Sequence, residues 1–253
     1  MIDIYDANNY FRRQMERKDL IVPQQRGAYI DASTARNLEF FVWDGHNHNA
    51  RRRELFPGYK IREPTADSVY AALDFMRELL IHTPAIQVEV PEWEADDVIG
   101  VLARKFAKAG HEVTVHSNDL DYYQLMDTPG IYLNGVNNIS GAPARYLPLY
   151  KTLVGDKSDK IDGIPGFGKA AFEKLEPHWD EVIEFIKNNG WYLDGLPITP
   201  KCKAWIAENQ DLIYAYWKIV HLWDVPIDLI DAHTYQGIPN PKGAEALLRK
   251  YLL

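Results

Sequence analysis

Short β-rich runs alternate with helical patterns through the first half of the chain, and this alternation constrains the fold more than any other feature. We predict strands at 2–5, 38–43, 86–90, 112–116 and 131–133. Apolar residues at helical spacing predict helices over 65–82 and 95–109. This order is typical of an α/β domain in which helices flank a mostly parallel sheet.

Several predicted strands end at an acidic residue or shortly before one. Asp6 and Asp44 directly follow two of them, and Asp119 comes soon after a third. In open parallel sheets, ligands bind outside the carboxyl ends of the strands. We therefore expect these three acids, which are distant in sequence, to line one cleft.

Three acidic motifs stand out: Glu94-Ala95-Asp96-Asp97, Asp119-Leu120-Asp121, and Gly155-Asp156-Lys157-Ser158-Asp159. Each has a simpler interpretation by itself, namely a helix start, a polar turn and a solvated loop. Gathered carboxylates repel one another unless cations lie among them, and hard oxygen ligands select Mg²⁺ or Mn²⁺. Because paired metal ions held by carboxylates are the usual apparatus for cutting a phosphodiester, the three motifs together predict a nuclease.

Composition sets the broad class of the protein. With 253 residues, of which 46% are hydrophobic, the chain has material for one large domain or a domain with a helical appendage. The net charge of −8 argues at first against a nucleic-acid partner, but many acids fall in the motifs, where divalent ions would offset them. A single cysteine, Cys202, no leader-like start and no long apolar run predict a cytoplasmic protein without membrane association.

A glycine-spaced turn, Gly163-Ile164-Pro165-Gly166-Phe167-Gly168-Lys169, precedes a predicted helix at 170–175. Glycines let backbone N–H groups approach an anion closely, and a helix start adds a positive dipole. The turn is therefore a candidate DNA-phosphate site formed by Gly163, Gly166, Gly168 and Lys169. A plain C-cap and loop is the alternative interpretation.

Taken in order, these segments resemble the flap endonuclease/5′-to-3′ exonuclease family, which includes phage 5′ nucleases and the 5′-nuclease domain of bacterial DNA polymerase I. The matching segments are Ile4-Tyr5-Asp6, Phe41-Val42-Trp43-Asp44, Arg52 to Lys60, Glu94 to Gly100, Asn118-Asp119-Leu120-Asp121, and Leu153 to Asp159. The resemblance covers about residues 2–175. It implies a PIN-like (resolvase-like) α/β nuclease core at 1–143. A helical DNA-binding region at 144–253 would contain a helix–three-turn–helix and complete the metal site.

The resemblance also implies roles for individual residues. One metal site would be surrounded by Asp6, Asp44, Glu94, Asp96, Asp97 and Asp119, and a second by Asp121, Asp156 and Asp159. The basic partners of the scissile phosphate would be Lys60, Arg52 and Arg13, which can stabilise charge on the leaving oxygen. For Arg52 the alternative is a solvated helix face, and for Arg13 an aliphatic stem that covers the sheet.

The predicted function is that of a metal-dependent, structure-specific 5′ nuclease. Its substrate would be DNA with a free 5′ end, a flap or a nick, bound through the backbone without sequence specificity, as in replication and repair. The predicted cofactors are two or more Mg²⁺ or Mn²⁺ ions, with K⁺ at the helix–three-turn–helix. Between Lys60 and Glu94 we expect a short, weakly cationic arch. A PIN-like ribonuclease and a non-enzymatic, structure-specific DNA-binding protein are the alternatives.

Overall fold

The structure, a computed structural model, describes residues 1–15, 21–61, 66–188 and 190–251 and divides into two compact units. Unit 1 comprises Met1–His48, Glu63–Asn137 and Trp223–Leu253. Unit 2 comprises Asn49–Arg62 and Asn138–Leu222. Each unit has its own hydrophobic core.

A six-stranded sheet with the order β5-β4-β1-β2-β3-β6 forms the centre of unit 1. Its strands are β1 Ile2–Asp6, β2 Leu38–Trp43, β3 Ile86–Glu89, β4 Val113–His116, β5 Ile131–Asn134 and β6 Thr234–Gln236. The first five strands pair in parallel, and β6 pairs antiparallel with β3. The predicted mostly parallel sheet is confirmed. The pattern missed β6 because its three residues are all exposed, so it carries no apolar signal.

The described residues contain twelve α-helices. They are α1 Ala7–Met15, α2 Ile21–Thr34, α3 Ala50–Leu55, α4 Asp67–Leu80, α5 Ala95–Lys108, α6 Leu147–Val154, α7 Lys169–Lys174, α8 Trp179–Lys187, α9 Pro200–Glu208, α10 Gln210–Ile219, α11 Ile227–Ala232 and α12 Pro241–Tyr251. None of these described helices is both long and apolar enough to cross a membrane.

Alternation along β2 sends its side chains to helices on opposite faces of the sheet. Phe41 and Trp43 belong to the core cluster that includes Phe11 of α1 and Met76 of α4. Phe40 instead contacts the ring of Phe106 in α5. Helices therefore cover both faces, as a parallel sheet requires.

Helices α6 to α10 surround the core of unit 2. Leu153, Phe172, Trp179, Val182 and Trp217 are among its buried side chains. The first of these lies on α6, and the others lie on α7, α8 and α10. The region after residue 143 is therefore mostly helical, although it does not form unit 2 alone.

The sequence predicted one boundary after residue 143, but two segments of the chain belong to the unit on the other side of that boundary. Residues 49–62 belong to unit 2, where Phe56 contacts the ring of Tyr216. Residues 223–253 belong to unit 1, because β6 adds to the sheet and Ala244 of α12 is buried in its core. Long-range pairing of this kind leaves no local pattern, so a single boundary along the chain misses it.

The interval between Lys60 and Glu94 was predicted to hold a short arch. Residues 62–65, including the start of the predicted helix at 65, lie outside the described residues. In the described part of the interval, α4 is the only helix, and it buries Leu73, Met76 and Leu79 in the core of unit 1. Helix α4 is thus a packing element of the sheet layer.

Candidate metal centre and nucleic-acid interface

The acidic residues of unit 1 lie at the carboxyl ends of its parallel strands. Asp6 is the last residue of β1, and Asp44 follows β2 directly. The Glu94 motif follows β3 and opens α5, while Asp119 follows β4 and precedes a short 3-10 helix, Leu120–Leu125. Parallel pairing brings these strand ends to one edge of the sheet, as the ordering of acids predicted.

Asp6 is the buried centre of this edge, with 6% of its surface exposed. Its Oδ1 accepts a hydrogen bond from Asn9 N (3.1 Å), and its Oδ2 accepts one from Ser117 Oγ (3.1 Å). Burial raises the pKa of Asp6 to about 7, and repulsion by the nearby charges of Asp44 and Asp119 contributes to this increase. The two hydrogen bonds lower that pKa but do not outweigh burial.

Asp44 and Asp119 are also held by neutral donors. Ala95 N donates to Asp44 Oδ1 (3.0 Å), and Asp121 N donates to Asp119 Oδ1 (2.9 Å). Among the described residues, no basic side chain forms an ion pair with Asp6, Asp44 or Asp119. Backbone and hydroxyl dipoles therefore orient these three side chains, but they do not supply a cation that offsets the charge of an ionised carboxylate.

Tyr122 links two acids of this edge and was not anticipated from the sequence. Its hydroxyl donates to Asp96 Oδ1 at 2.6 Å and lies 3.3 Å from Asp6 Oδ2. Burial and both carboxylates raise the pKa of Tyr122 well above its usual value, so its phenol stays protonated. Ser117 was missed as well. The nearest sequence signal was the position of these residues beside Asp119 and Asp121, which does not distinguish them from packing residues.

Asp97, which was predicted as a metal ligand, accepts a hydrogen bond from a backbone N–H group. It is fully buried, and its Oδ1 accepts a hydrogen bond from Trp223 N at 2.7 Å. Glu94, which precedes α5, and Asp121, in the 3-10 helix, are also buried. In the part of the chain that the structure describes, no three Asp, Glu, His or Cys side chains already converge as ligands of one ion.

The two predicted metal ligands of unit 2, Asp156 and Asp159, are each paired with a lysine. Lys151 Nζ lies 2.7 Å from Asp156 Oδ2, and Lys60 Nζ lies 3.7 Å from Asp159 Oδ1. Burial alone would raise the pKa of Asp156. The Lys151 ammonium and the hydrogen bonds from Ser158 outweigh burial and lower that pKa below its usual value. Unlike Asp6, Asp44 and Asp119, these acids have local cationic partners.

Lys60 occupies a strained backbone position that its neighbours hold in place. Its φ of +46° lies in the left-handed region, which costs a non-glycine residue about 1 kcal/mol or more. Arg53 donates to the carbonyl oxygens of Tyr59 (3.0 Å) and Lys60 (3.2 Å), and Lys60 N donates to Asp159 O (3.2 Å). These bonds hold the backbone of Lys60 in place, and its ammonium lies beside the Asp159 carboxylate.

The two arginines predicted to act in catalysis have very different surroundings. Arg52 is buried, and its guanidinium donates to Ile219 O (3.0 Å) and His221 O (2.9 Å) at the end of α10. These contacts give Arg52 a structural role as a cap on helix carbonyls, so its action on phosphate stays a prediction. Arg13 is exposed, and its Nη1 lies beside Gly135 after β5. The contact of Arg13 with phosphate therefore stays a prediction.

The glycine-spaced turn between α6 and α7 combines a packed half and an open half. Gly163 is buried at φ +68°, and a Cβ there would lie 2.5 Å from Gly155 N. Gly166 and Gly168 are exposed, and a Cβ on either would meet nothing within 4 Å. Lys169 directs its ammonium to Ile139 O (3.3 Å). The structure thus leaves the backbone at 166 and 168 open to approach.

These features define a resolvase-like α/β domain with an acidic edge, together with a helical unit that carries an open glycine turn. Residues 28–144 match the family model described as the 5′-3′ exonuclease N-terminal resolvase-like domain. This match confirms the resemblance to the flap endonuclease/5′-to-3′ exonuclease family that was predicted from the motifs of the chain.

Two curated relatives illustrate the match. The thermostable DNA polymerase I of Thermus aquaticus is 30% identical over 190 residues, which cover 70% of this chain and 22% of that protein. The 5′-3′ exonuclease of Aquifex aeolicus is 29% identical over 191 residues, which cover 71% of this chain and 63% of that protein. The matched region therefore spans about a fifth of the polymerase and less than two thirds of the exonuclease.

Solved structures extend the likeness of fold to nearly the whole chain. The T5 5′-exonuclease, solved with divalent zinc ions, has a TM-score of 0.63 at 16% identity, with 99% of this chain and 98% of that chain covered. The catalytic core of Rad2 in complex with DNA substrate has a TM-score of 0.56 at 15% identity, with 99% and 86% covered.

Proposed function

We propose that this chain is a divalent-metal-dependent 5′ nuclease that hydrolyses DNA phosphodiesters by a two-metal mechanism. The observation that carries the proposal is the cluster of Asp6, Asp44 and Asp119 at the carboxyl edge of the sheet. These three acids have neutral hydrogen-bond partners, and the charges of Asp44 and Asp119 help to raise the pKa of Asp6. Such an edge is stabilised by bound cations, and the resemblance to 5′-to-3′ exonucleases supports the reaction.

The donor set fits a hard cation, because every candidate ligand is a carboxylate and no sulfur is involved. We assign Asp6, Asp44, Asp119, Glu94 and Asp96 as the residues that hold Mg²⁺ or, in its place, Mn²⁺. When bound, the ions would neutralise charge on the phosphate and lower the pKa of a water molecule.

The other predicted ligands are proposed to contribute less to cation binding, because they already have partners in the protein. Asp97 already accepts a hydrogen bond from Trp223 N, and Asp156 and Asp159 already have lysine partners. Asp121, Asp156 and Asp159 each stay candidate ligands of a further ion. Removing either lysine-paired acid should therefore weaken metal binding less than removing Asp6 or Asp119.

Lys60 is the proposed electrostatic catalyst. Its ammonium is paired with Asp159 on a backbone that hydrogen bonds hold in place, so part of the side-chain ordering precedes contact with a phosphate. A preorganised charge of this kind stabilises a developing oxyanion better than a mobile one. Arg13, which is exposed, would contact phosphate before or after the reaction.

The open glycine turn is the proposed anchor for the DNA backbone. Gly166 and Gly168 leave space for a phosphodiester to approach backbone N–H groups, and contacts of this kind carry no base sequence. In this proposal α6, the turn and α7 form the helix–three-turn–helix, and carbonyl groups of the turn hold K⁺. The substrate is DNA with a free 5′ end, flap or nick, in replication or repair, and the lone Cys202 suits a reducing cytoplasm.

A paired cleavage assay tests the proposed substrate. Matched DNA and RNA substrates, labelled at the 5′ end, are offered as flap, nicked and blunt duplexes with Mg²⁺. We expect cleavage near the 5′ end of flap or nicked DNA and much slower cleavage of RNA. Faster cleavage of RNA would favour the ribonuclease alternative. Tight binding of flap DNA without cleavage would favour a non-enzymatic DNA-binding protein.

A further inference from the structure

Tyr122 lies between two carboxylates that come from separate elements of unit 1. Asp6 ends β1, whereas Asp96 lies in the first turn of α5. The Tyr122 hydroxyl is 2.6 Å from Asp96 Oδ1 and 3.3 Å from Asp6 Oδ2, and its side chain is fully buried. We propose that Tyr122 is a positioning residue that fixes both carboxylates for cation binding, an inference that rests on the proposed function.

The hydrogen-bond geometry gives each carboxylate a defined orientation. A phenol has one proton, so the Tyr122 hydroxyl donates more strongly to Asp96 Oδ1 at 2.6 Å and more weakly to Asp6 Oδ2 at 3.3 Å. Ser117 Oγ donates to the same Asp6 oxygen at 3.1 Å, and Asn9 N donates to the other at 3.1 Å. Asp6 is therefore held on both oxygens, and Tyr122 holds Oδ1 of Asp96.

Orientation of this kind acts on metal affinity. A carboxylate that already has its binding rotamer loses less conformational freedom when an ion binds, so partners of metal ligands strengthen the site without touching the ion. Loss of such a partner typically lowers metal affinity or activity by about 10- to 100-fold. Tyr122 should therefore affect the affinity for Mg²⁺ more than the rate at saturating Mg²⁺.

The competing explanation is that Tyr122 is a core tyrosine whose hydroxyl merely needs partners. A buried hydroxyl without a hydrogen bond costs about 1–3 kcal/mol, so any buried tyrosine finds acceptors. In that case removal of the hydroxyl would change stability but would not change the affinity of the remaining carboxylates for an ion. The two explanations therefore predict different Mg²⁺ affinities for a Tyr122 variant that still folds.

The test compares Tyr122→Phe with Tyr123→Phe in the full chain. Both variants lose one phenolic hydroxyl from the same short 3-10 helix, but Tyr123 is only half-buried. Isothermal titration with Mg²⁺ alone measures affinity, and urea denaturation in EDTA measures folding. We expect Tyr122→Phe to bind Mg²⁺ about 10- to 100-fold more weakly and to regain most of its cleavage rate at saturating Mg²⁺. Tyr123→Phe should match the wild type.

Each other outcome contradicts a defined part of the account. If folded Tyr122→Phe binds Mg²⁺ within about threefold of the wild type, Tyr122 has only a structural role. If wild-type protein does not bind Mg²⁺ at all, the proposed function fails and this inference fails with it. Ser117→Ala provides a second variant, because it removes the other donor to Asp6 Oδ2 without changing a ring. It should weaken Mg²⁺ binding in the same direction, and unchanged affinity in both variants would overturn the inference.

Discussion

Replacement of Gly163 by alanine should destabilise unit 2 far more than the same change at the neighbouring glycines. A Cβ at Gly163 would lie 2.5 Å from Gly155 N and Val154 C and 2.7 Å from Leu153 O, which are backbone atoms at the end of α6. Moving backbone in a packed region costs about 1–3 kcal/mol, and φ +68° adds about 1–2 kcal/mol for any L-residue. We therefore expect a loss of about 2–5 kcal/mol.

The same turn supplies two matched controls. Gly166→Ala meets no atom within 4 Å but keeps φ +81°, so we expect a loss of about 1 kcal/mol. Gly168→Ala meets no atom within 4 Å and its φ is −111°, so its stability should change by less than about 0.5 kcal/mol. The order of the three losses depends only on local geometry.

Urea denaturation followed by tryptophan fluorescence measures these losses, because Trp179 and Trp217 lie in the core of unit 2. The midpoint and slope must be fitted to the transition that reports this unit, since two units can unfold separately. If Gly163→Ala is as stable as Gly168→Ala, the close approach of the turn to α6 is not a constraint and the reasoning is refuted.

Three further predictions address catalysis, DNA binding and pH. Lys60→Ala should lower the single-turnover cleavage rate by at least about a hundredfold, or about 2.7 kcal/mol, with little change in DNA affinity. Lys60→Arg should restore only part of that rate. An unimpaired Lys60→Ala enzyme would show that Lys60 has no catalytic role. Gly168→Val should weaken binding equally to unrelated duplex sequences, measured by fluorescence anisotropy, and unchanged affinity in the folded variant would remove the turn as a DNA anchor. Burial raises the pKa of Glu39 from 4.5 to about 7, with smaller contributions from Asp3 and Asp31 and despite a hydrogen bond from Tyr5. The free energy of unfolding should therefore fall as the pH rises from about 4.5 to about 7. Glu39→Gln should therefore raise the free energy of unfolding above pH 7 by on the order of 1–3 kcal/mol. The exposed control Glu112→Gln should leave it unchanged. The same dependence of unfolding free energy on pH in both variants would contradict this prediction.

The sheet was predictable because its central strands are apolar runs with local punctuation. Ile4, Val42, Val88 and Val115 are fully buried in four parallel strands, and a polar or acidic residue ends or directly follows each strand. Such runs identify strands from sequence alone. The exposed β6 has no such run, and it becomes a strand only because β3 offers it an edge.

The candidate site was predictable in position but not in its pairing. Acids that follow strands must meet at one sheet edge, so Asp6, Asp44 and Asp119 could be grouped from their spacing. The bond between Asp97 and Trp223 joins residues 126 positions apart, and nothing local to either residue indicates it. The Lys151 partner of Asp156 likewise depends on how α6 meets the turn that follows it.

The most direct test of the central claim is the single-turnover cleavage of a 5′-labelled flap duplex as a function of Mg²⁺, for the wild type and the Asp119→Asn, Asp121→Asn double variant. DNA affinity is measured in parallel in EDTA. The account predicts Mg²⁺-dependent cleavage by the wild type. It predicts no detectable cleavage by the double variant, with DNA affinity within about tenfold, because the loss of two carboxylates removes metal ligands and relieves repulsion. Near-normal Mg²⁺-dependent turnover by the double variant would contradict the assignment of the acidic edge as the metal site.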